Sequence, residues 1–372
     1  MKKILCFLLA VIIFPACGKK TEESKLNVYI DIKDSNTISV IRYLGDQYEK
    51  ENSGTKINYM IPINEIDKEK QRIADGNVIL TSRSDMINLS QSAQLMDMSD
   101  SYESLKLSKN YMNIVSSYGE YNYVNFGIGF LPRNIRIIYD KDFWDKNSLN
   151  DKNYLDTLKK ALNICVNRNV KIPVVLDEDM DINYFIFSLI SNQVLDTQSI
   201  THIYDSSKES YKNIQFDRAF KEIKNLYGSR ILSKGVFYSG TENDFKNLNS
   251  GSIPFIITSK NYYNNYKDLK YVISETPVYY INSVISIPME NKNNWDAASF
   301  IKFLYSDKAA KLLSARDYVS GNIKYNKDTY KKVLPMFNLP EKFQKPVANK
   351  VNAVLGGTYN GNEWSEVLGQ VK

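Results

Sequence analysis

The sequence predicts an α/β protein made of two successive structural units, and the alternation of its segments is the reason. Short apolar runs typical of strands alternate with amphipathic helical patterns over residues 26–96. The same alternation begins again near residue 155. Strands separated by helices pair in parallel, so each unit is expected to form an open sheet with helices packed against it. A chain of 372 residues is long enough for two such units.

The first unit is predicted to begin with a strand at LNVYIDI (26–32), followed by a helix that Asp34-Ser35-Asn36 would cap. Apolar residues at helical spacing place the end of that helix near residues 52–54. The next predicted elements are a strand TKINYMI (55–61), a polar helix (64–75), a third strand SDMINLS (84–90) and a helix containing Leu95 and Met96. Because open α/β sheets bind ligands at the carboxyl ends of their strands, loops 31–37 and 89–93 are expected to contact a ligand.

The remaining segments complete the prediction. A β-like stretch runs from Tyr123 to Tyr139 and is interrupted by Pro132. A single long amphipathic helix is expected over NNWDAASFIKFLYSDKAAKLLSA (293–315), and the chain would end in the helix NEWSEVLGQV. The second unit is predicted to contain helices 156–166, 184–193 and 216–228 and strands 171–176, 253–258 and 278–288.

The N-terminus has the features of an export signal. Lys2 and Lys3 precede an apolar run of thirteen residues, Ile4–Ala16, which is too short to cross a bilayer and long enough for a signal peptide. The run ends in Phe14-Pro15-Ala16-Cys17-Gly18, which resembles the lipobox of bacterial lipoproteins. We therefore expect residues 1–16 to be removed, Cys17 to be acylated, with palmitate among its acyl groups, and residues 17–25 to form a tether. The alternative is an ordinary secretory signal with a chance cysteine.

Composition excludes several classes of protein. The formal net charge of +6 is spread over interspersed lysines and glutamates, which indicates a solvated surface and no nucleic-acid partner. A single histidine, His202, argues against zinc sites and histidine-based catalysis. The cysteines are Cys6, Cys17 and Cys165, and loss of the first with acylation of the second would leave no intrachain disulfide. No nucleophile elbow, phosphate loop or metalloprotease motif is present, so no enzymatic activity is expected.

Several long segments together resemble one family. The tract WDAASFIKFLYSDKAAKLLSARDYVSG (295–321) is similar to the Ala-Ala-x-x-Phe-Ile-x-Phe-Leu helix of the extracellular solute-binding proteins of ABC importers, carbohydrate-type family 1. Other segments that resemble this family are DMINLSQSAQLMDMSDSY (85–102), YGEYNYVNFGIGFLPRNIRIIYDKDFWDK (118–146), FKNLNSGSIPFIITSKNYY (245–263) and VNAVLGGTYNGNEWSEVLGQV (351–371). The resemblance covers nearly the whole chain after the signal.

The resemblance implies a two-lobed periplasmic-binding-protein fold of type II, whose lobes close on a ligand about a hinge. Lobe one would consist of residues 26–131 and 285–319, and lobe two of residues 132–284 and 320–372. The expected hinge residues are Pro132, Arg133, Ser283 and Gly321. The chain would be a monomer without a cofactor or metal, anchored by lipid outside the cytoplasmic membrane, and would deliver its solute to the permease subunits of an ABC importer.

The same resemblance indicates where a sugar would bind. Sugars are held by aromatic faces and by planar polar side chains that hydrogen-bond their hydroxyls. The predicted ligand-binding residues are Asp31, Ser35, Asp85, Ser90, Tyr121, Tyr184, Ser259, Tyr262 and Asn282. Trp144, Trp295 and Trp364 lie beside charged neighbours at helical positions and are predicted to be packing residues, with Trp364 the first candidate for another role.

Four alternatives remain open at this point. Tyr262 and Tyr263 could supply two tyrosinates to ferric iron, as in related importers. A lipoprotein of the same fold could serve as an adhesin or sensory module, since no tryptophan falls on a predicted pocket loop. A secreted glycosidase would need a carboxylate pair whose separation only a structure can show. The acidic run 177–183 resembles the start of a calcium loop but lacks its glycine and its final glutamate, so it is predicted to be a solvated turn.

Overall fold

The computed structural model describes residues 24–64, 73–150, 154–176, 181–195, 208–233, 235–248, 250, 252–259, 270–291, 294–325, 339 and 341–371. The predicted signal peptide, the lipidation residue Cys17 and most of the predicted helix 64–75 lie outside these residues, as do Tyr262, Tyr263 and residues 177–180 of the acidic run. Within the described residues, no helix is long and apolar enough to cross a membrane.

Strands and helices alternate as the sequence predicts. The strands are β1 (Ser24–Asp31), β2 (Thr55–Met60), β3 (Val78–Thr81), β4 (Glu120–Tyr121), β5 (Val124–Asn125), β6 (Ile128–Phe130), β7 (Arg133–Asp140), β8 (Ile172–Val175), β9 (Phe237–Ser239), β10 (Phe255–Thr258), β11 (Tyr271–Tyr280) and β12 (Ser283–Ser286). The α-helices are α1 (Ser35–Glu51), α2 (Arg83–Gln91), α3 (Ser99–Leu105), α4 (Leu107–Asn110), α5 (Asn113–Ser117), α6 (Lys141–Lys146), α7 (Tyr154–Asn167), α8 (Ile182–Val194), α9 (Lys208–Lys212), α10 (Asp217–Gly228), α11 (Asp244–Leu248), α12 (Asn294–Leu304), α13 (Asp307–Ser314), α14 (Glu341–Leu355) and α15 (Glu363–Gln370).

Two five-stranded sheets define two lobes, and they have the same order and polarity. The first sheet runs β2-β1-β3-β12-β6, and the second runs β9-β8-β10-β7-β11. In each, three parallel strands are followed by one antiparallel strand, β12 or β7, and the fifth strand again runs in the direction of the first three. The sequence shows no repeat between the lobes, so the duplication is one of topology. The inner strands β3, β8 and β10 are buried over their whole length, as expected for a sheet covered on both faces, whereas the edge strands β2 and β9 are partly exposed.

The chain crosses between the lobes at two sites that the sheets define. β6 belongs to the first sheet and β7 to the second, so one crossing falls at Leu131-Pro132. β11 belongs to the second sheet and β12 to the first, so another falls at Ile281-Asn282. The predicted strand 278–288 therefore covers the end of β11 and all of β12. Ser283 lies in the first sheet, two residues earlier than the predicted boundary at 284–285.

The third strand of the first unit was predicted in the wrong place. SDMINLS forms most of α2, and β3 is the preceding run Val78–Thr81. Arg83, Met86 and Ile87 are the buried residues of this segment. Their spacing of three and four residues fits one face of a helix and does not fit the alternate positions of a strand. Ser82 begins α2 because its hydroxyl accepts the backbone N–H of Asp85 at 3.1 Å. Leu95 and Met96 are extended and lie beside β12, since Met96 donates to the carbonyl of Ile287 at 2.9 Å.

The predicted helix 293–315 is two helices. α12 ends at Leu304, and Ser306 begins α13 by accepting the backbone N–H of Ala309 at 3.2 Å. Tyr305, between them, is buried, and its hydroxyl donates to the carbonyls of Ile128 and Gly129 in β6 at 3.2 and 3.1 Å. The break therefore lets an aromatic side chain reach the sheet that α12 covers.

Candidate ligand-binding cleft

The carboxyl ends of the parallel strands in the first lobe lie beside the crossings. Asp31 at the end of β1 is paired with Thr81 at the end of β3, and Thr81 is paired with Val284 of β12. The preceding residue of β12, Ser283, is paired with Phe130, the last residue before the first crossing. The polar edge of this sheet and the two crossings are therefore adjacent.

The second sheet meets the same crossings with its own carboxyl edge. Val175 of β8 is paired with Thr258 of β10, and Thr258 is paired with Arg136 of β7. Arg136 lies only three residues beyond the start of β7 at Arg133. Both sheets thus present the ends of their parallel strands to one region between the lobes, which is where open α/β sheets bind ligands.

Three buried oxygens in this region have no hydrogen-bond partner among the described residues. They are Oγ1 of Thr81, Oγ of Ser259 and Oδ1 of Asn282. Thr81 ends β3, Ser259 directly follows β10, and Asn282 is in the second crossing. A buried polar atom without a partner costs about 1–3 kcal/mol, so such atoms are rare unless a ligand or water pairs with them. Ser259 and Asn282 were predicted; Thr81 was missed because the third strand had been placed six residues too late.

An ion pair joins the lobes beside these oxygens. Asp34, the N-cap of α1 in the first lobe, accepts a charge-assisted hydrogen bond from Arg133 at the start of β7 in the second. Arg133 also donates to the hydroxyl of Thr37 at 2.7 Å. Burial alone would raise the pKa of the Asp34 carboxyl, but the Arg133 charge and hydrogen bonds from Thr37 and Asn36 outweigh burial and hold that pKa below its ordinary value.

A second arginine makes a similar contact further along β7. Nη1 of Arg136 lies 3.3 Å from the carboxylate of Asp317, in the segment after α13. The neighbouring Tyr318 donates from its hydroxyl to Oδ1 of Asn36 at 2.9 Å. The segment after α13 is therefore bound to both lobes, to β7 of the second and to α1 of the first.

The four predicted hinge residues lie in these crossings or pack against them. Ser283 donates from its hydroxyl to the carbonyl of Phe130 at 3.1 Å. Gly321 has a φ of +75°, and a Cβ there would lie 2.6 Å from Val115 and 3.2 Å from Cγ of Pro132. The carbonyl of Gly321 accepts from Met112 at 2.8 Å, so Gly321 packs on the first lobe although it was assigned to the second. A glycine is required at that point because the backbone has a positive φ and a Cβ would clash with Val115.

The other predicted residues of the first lobe differ in position. Asp31 is half-buried at the carboxyl edge, and Ser35 is exposed at the start of α1. Asp85 is exposed in the first turn of α2, where the hydroxyl of Ser82 donates to its carboxylate at 2.8 Å. Ser90 is in the last turn of α2, eight residues after the N-cap Ser82. Its hydroxyl donates to the carbonyl of Ile87 at 2.7 Å. The reason for choosing Asp85 and Ser90, a strand over 84–90, does not hold.

Tyr121 lies at the far end of α2 from the crossings. Its hydroxyl accepts from Nε2 of Gln91, the last residue of that helix, at 2.8 Å. Eight helical steps of 1.5 Å place Gln91 about 12 Å from Arg83 along the helix axis. Arg83 is buried and donates to the carbonyls of Tyr118 and Glu120 at 2.8 and 2.9 Å, which fixes the short β4–β5 hairpin against α2.

Tyr184 is a core residue, contrary to the prediction that it binds ligand. Its side chain is fully buried in α8, which packs between α10 and α14. Its hydroxyl accepts the backbone N–H of Leu339 at 3.1 Å, and burial raises the pKa of Tyr184 to about 12. The sequence pattern misled because YFIFSLIS is apolar around the whole helix, so position alone could not tell a core tyrosine from one at a loop.

Metal binding has no support in the described residues, since no group of three or more His, Cys, Asp or Glu side chains among them is placed to hold an ion. Tyr262 and Tyr263, the candidate iron ligands, lie outside that part of the chain.

Solved structures of binding proteins share this architecture. A family 1 extracellular solute-binding protein from Bifidobacterium longum subsp. infantis matches with a TM-score of 0.64 and 13% identity, covering 93% of this chain and 98% of its own. The sugar-binding protein MalE from Xanthomonas citri matches with a TM-score of 0.66 and 12% identity, covering 94% and 96%. The GacH receptor of Streptomyces glaucescens GLA.O, solved without ligand and with acarbose, matches with a TM-score of 0.61 and 14% identity, covering 93% and 97%.

Comparison at the level of sequence gives no match. No protein-family model matches the chain, and no curated protein sequence does. The structural likeness extends over nearly all of each chain, and it confirms the predicted two-lobed, hinge-linked α/β fold and the resemblance to solute-binding proteins at the level of the fold. The structures named above are receptors or binding proteins, and none is named as an enzyme.

Proposed function

We propose that this protein is the solute-binding component of an ABC importer, that it captures a carbohydrate-like solute between its lobes, and that it catalyses no reaction. The observation that carries the proposal is the set of unpaired buried oxygens of Thr81, Ser259 and Asn282 beside the lobe crossings. Neutral hydroxyl and amide oxygens in a cleft suit a neutral polyhydroxylated ligand, because each can pair with a sugar hydroxyl without burying a charge.

The proposal includes an anchor and a route of delivery. Acylation of Cys17 would hold the chain at the outer face of the cytoplasmic membrane, and closure of the lobes about Pro132 and Gly321 would present the loaded form to permease subunits. The support for these steps is the lipobox-like sequence and the close packing of Pro132 on Gly321.

The first experiment follows thermal unfolding of residues 18–372 against mono- and oligosaccharides, amino acids, polyamines and ferric citrate. A solute at about a hundred times its dissociation constant adds roughly 2.7 kcal/mol to the free energy of unfolding, a shift of several degrees. A shift with one class of sugar is expected. A shift with ferric citrate alone, accompanied by a tyrosinate absorption band, would replace the proposal with iron binding by Tyr262 and Tyr263. A shift with no solute would contradict solute capture and leave an adhesin or sensory role to test.

Ser259→Ala tests the cleft directly. The substitution should weaken sugar binding by about 5- to 30-fold, equal to the 1–2 kcal/mol of a lost hydrogen bond. It should not destabilise the empty protein, because the Ser259 hydroxyl has no partner among the described residues. Ser191→Ala is the matched control, since the Ser191 hydroxyl is equally buried and unpaired there but lies within α8 of the second lobe. Equal affinity in wild type and Ser259→Ala would remove Ser259 from the site.

Pro132→Ala tests the hinge. Loss of the fixed φ at the first crossing should change the solute affinity more than it changes the free energy of unfolding. Titration calorimetry and urea unfolding of the same preparation measure the two quantities. Unchanged affinity would exclude Pro132 from the closing motion.

A further inference from the structure

A second concave surface lies on the first lobe, away from the cleft. It is a groove of about 290 Å³ between α3 and α12. α12 contributes Trp295, Ala298 and Lys302, which are spaced three and four residues apart and form one stripe of the helix, and α3 contributes Ser101 and Ser104. None of these residues takes part in the contacts that join the lobes.

Trp295 is the exposed aromatic residue of this groove. It is 84% exposed, whereas Trp364 is 3% exposed and Trp144 is half-buried, so the prediction that all three pack is wrong for Trp295. The physical reason is the register of α12, in which Ala297, Phe300 and Ile301 face the core and Trp295 falls on the opposite side. Single exposed apolar side chains are common, but Trp295 lies on the rim of a groove beside other exposed residues of α12, which makes it a candidate contact residue.

The proposed tether leaves the lobe beside Trp295. Ser24, the first residue that the structure describes, donates a hydrogen bond from its hydroxyl to the carboxylate of Asp296, the next residue after Trp295. Only the six residues 18–23 separate Ser24 from Cys17. Fully extended, the seven residue steps from Cys17 to Ser24 span at most about 25 Å, so an acylated Cys17 would keep this face close to the bilayer.

We propose that the groove rests on the lipid bilayer, with the Trp295 ring in the headgroup layer and the ammonium group of Lys302 against anionic phosphates. The proposal rests on the lipid anchor proposed above. Tryptophan prefers the membrane interface because its ring is apolar and its N–H can hydrogen-bond there. Lysines near the surface are attracted to anionic lipids, and Lys25 adds a second exposed cation beside the exit of the tether. A contact too weak to bind a free protein becomes effective when a tether keeps it at high local concentration.

This contact sets the direction of the cleft. Ser24 is at the amino end of β1 and Asp31 at its carboxyl end, so seven strand steps, about 23 Å, separate the tether from the cleft edge. β12 runs antiparallel to β3 and ends at the amino edge, so α12, with Trp295 in its first turn, begins there as well. With the groove on the bilayer, the cleft edge of the first lobe points away from the membrane, toward arriving solute, so the groove has to leave the bilayer before the loaded cleft meets the permease subunits proposed above.

The test attaches the chain to vesicles by chemistry that does not depend on natural acylation. Residues 17–372 are coupled through Cys17 to a maleimide phospholipid in phosphatidylcholine–phosphatidylglycerol vesicles, with and without brominated acyl chains. Cys165 does not compete, because it is 1% exposed and burial raises the pKa of its thiol to about 12. Tryptophan fluorescence of the wild type should be quenched by the brominated lipid, and Trp295→Phe should remove that quenching. Trp144→Phe is the matched control and should keep it.

A charge-reversed pair tests the lipid contact with the fluorophore intact. Lys302→Glu should reduce the quenching at least twofold, whereas Lys146→Glu, an exposed lysine of the second lobe, should leave it unchanged. Equal quenching in wild type and Trp295→Phe would overturn the proposal and point to a protein partner for the groove. Failure of the anchor itself is seen separately, as absence of labelled palmitate from the full chain in cells, and failure of solute capture as absence of a thermal shift.

Discussion

Asp34 and Arg133 are 2% and 3% exposed, so each charge depends on the other for its neutralisation. Asp34 was predicted only as a helix cap and Arg133 only as a hinge residue. Their pairing spans 99 positions of sequence, and no local pattern reports a contact at that separation. The same limit applies to Tyr184 and Thr81, since burial and unpaired atoms are properties of the tertiary structure.

Asp34→Asn should destabilise the protein by about 3–5 kcal/mol at neutral pH, because it leaves the Arg133 charge buried without its counter-ion. The pKa of Asp34 is lowered in the folded protein, so its contribution is complete above about pH 4 and is lost as the pH falls through the folded pKa. The difference between wild type and variant in urea unfolding should therefore shrink below about pH 4. Asp307→Asn, which breaks the exposed pair with Lys324, is the control and should change stability little. A difference that does not vary with pH would exclude Asp34 ionisation as the cause.

Tyr184→Phe should cost about 1–3 kcal/mol, because the buried N–H of Leu339 loses its acceptor. Solute affinity should not change, since the side chain lies in the core. Tyr121→Phe, which removes an exposed hydrogen bond to Gln91, is the comparison and should leave the unfolding free energy nearly unchanged. Weaker sugar binding by Tyr184→Phe with unaltered urea unfolding would return Tyr184 to the ligand site.

At the scale of elements, the accuracy of the prediction depended on the spacing of apolar residues. Segments whose spacing fits only a helix or only a strand were predicted well, and segments whose spacing fits both were not. α1, α10 and β8 fall within two residues of their predicted bounds, since each has a single buried face or a short apolar run. α2 was predicted as a strand although the adjacent buried residues Met86 and Ile87 do not fit the alternation of a half-buried strand. The split between α12 and α13 depends on Tyr305 reaching β6, a contact that amphipathic spacing does not encode.

Gly321→Ala should destabilise the protein by more than Gly235→Ala. Both glycines have a φ of +75°, so both substitutions carry the cost of about 1–2 kcal/mol of a left-handed backbone. At Gly235 a Cβ would meet open space, whereas at Gly321 it would lie 2.6 Å from Val115. The difference between the two unfolding free energies therefore measures how tightly the chain at Gly321 packs on Val115. Equal losses would show that Val115 moves aside and that this packing does not restrain the crossing.

At the scale of the whole molecule, strand–helix alternation predicted the α/β class because it is a local feature, whereas the two lobes and the crossings between them were expected only from the resemblance to a family. The sequence could not predict which strands insert into which sheet. β7 and β11 are neighbours in the second sheet although more than a hundred residues separate them in the sequence. β12, which begins at residue 283, pairs with strands of the first sheet that end before residue 131.

Closure should be visible as a change in overall size. If a solute binds between the lobes, small-angle X-ray scattering should show a smaller radius of gyration with the sugar than without it. The Ser259→Ala variant at the same sugar concentration should show a smaller change, since less of it is loaded. An unchanged radius with saturating sugar would mean that the lobes are already closed when empty.

The insertion of β12 between β3 and β6 has a consequence for the order in which the chain matures. β3 and β6 are both complete by residue 130, yet the strand that joins them is not synthesised until residues 283–286. A nascent first lobe therefore has two unpaired sheet edges for more than a hundred residues of elongation, and it cannot reach its final hydrogen bonding in that time. If the chain is exported as proposed, this topology delays completion of the first lobe until residue 286 has been made, which favours passage through a narrow channel in an unfolded state.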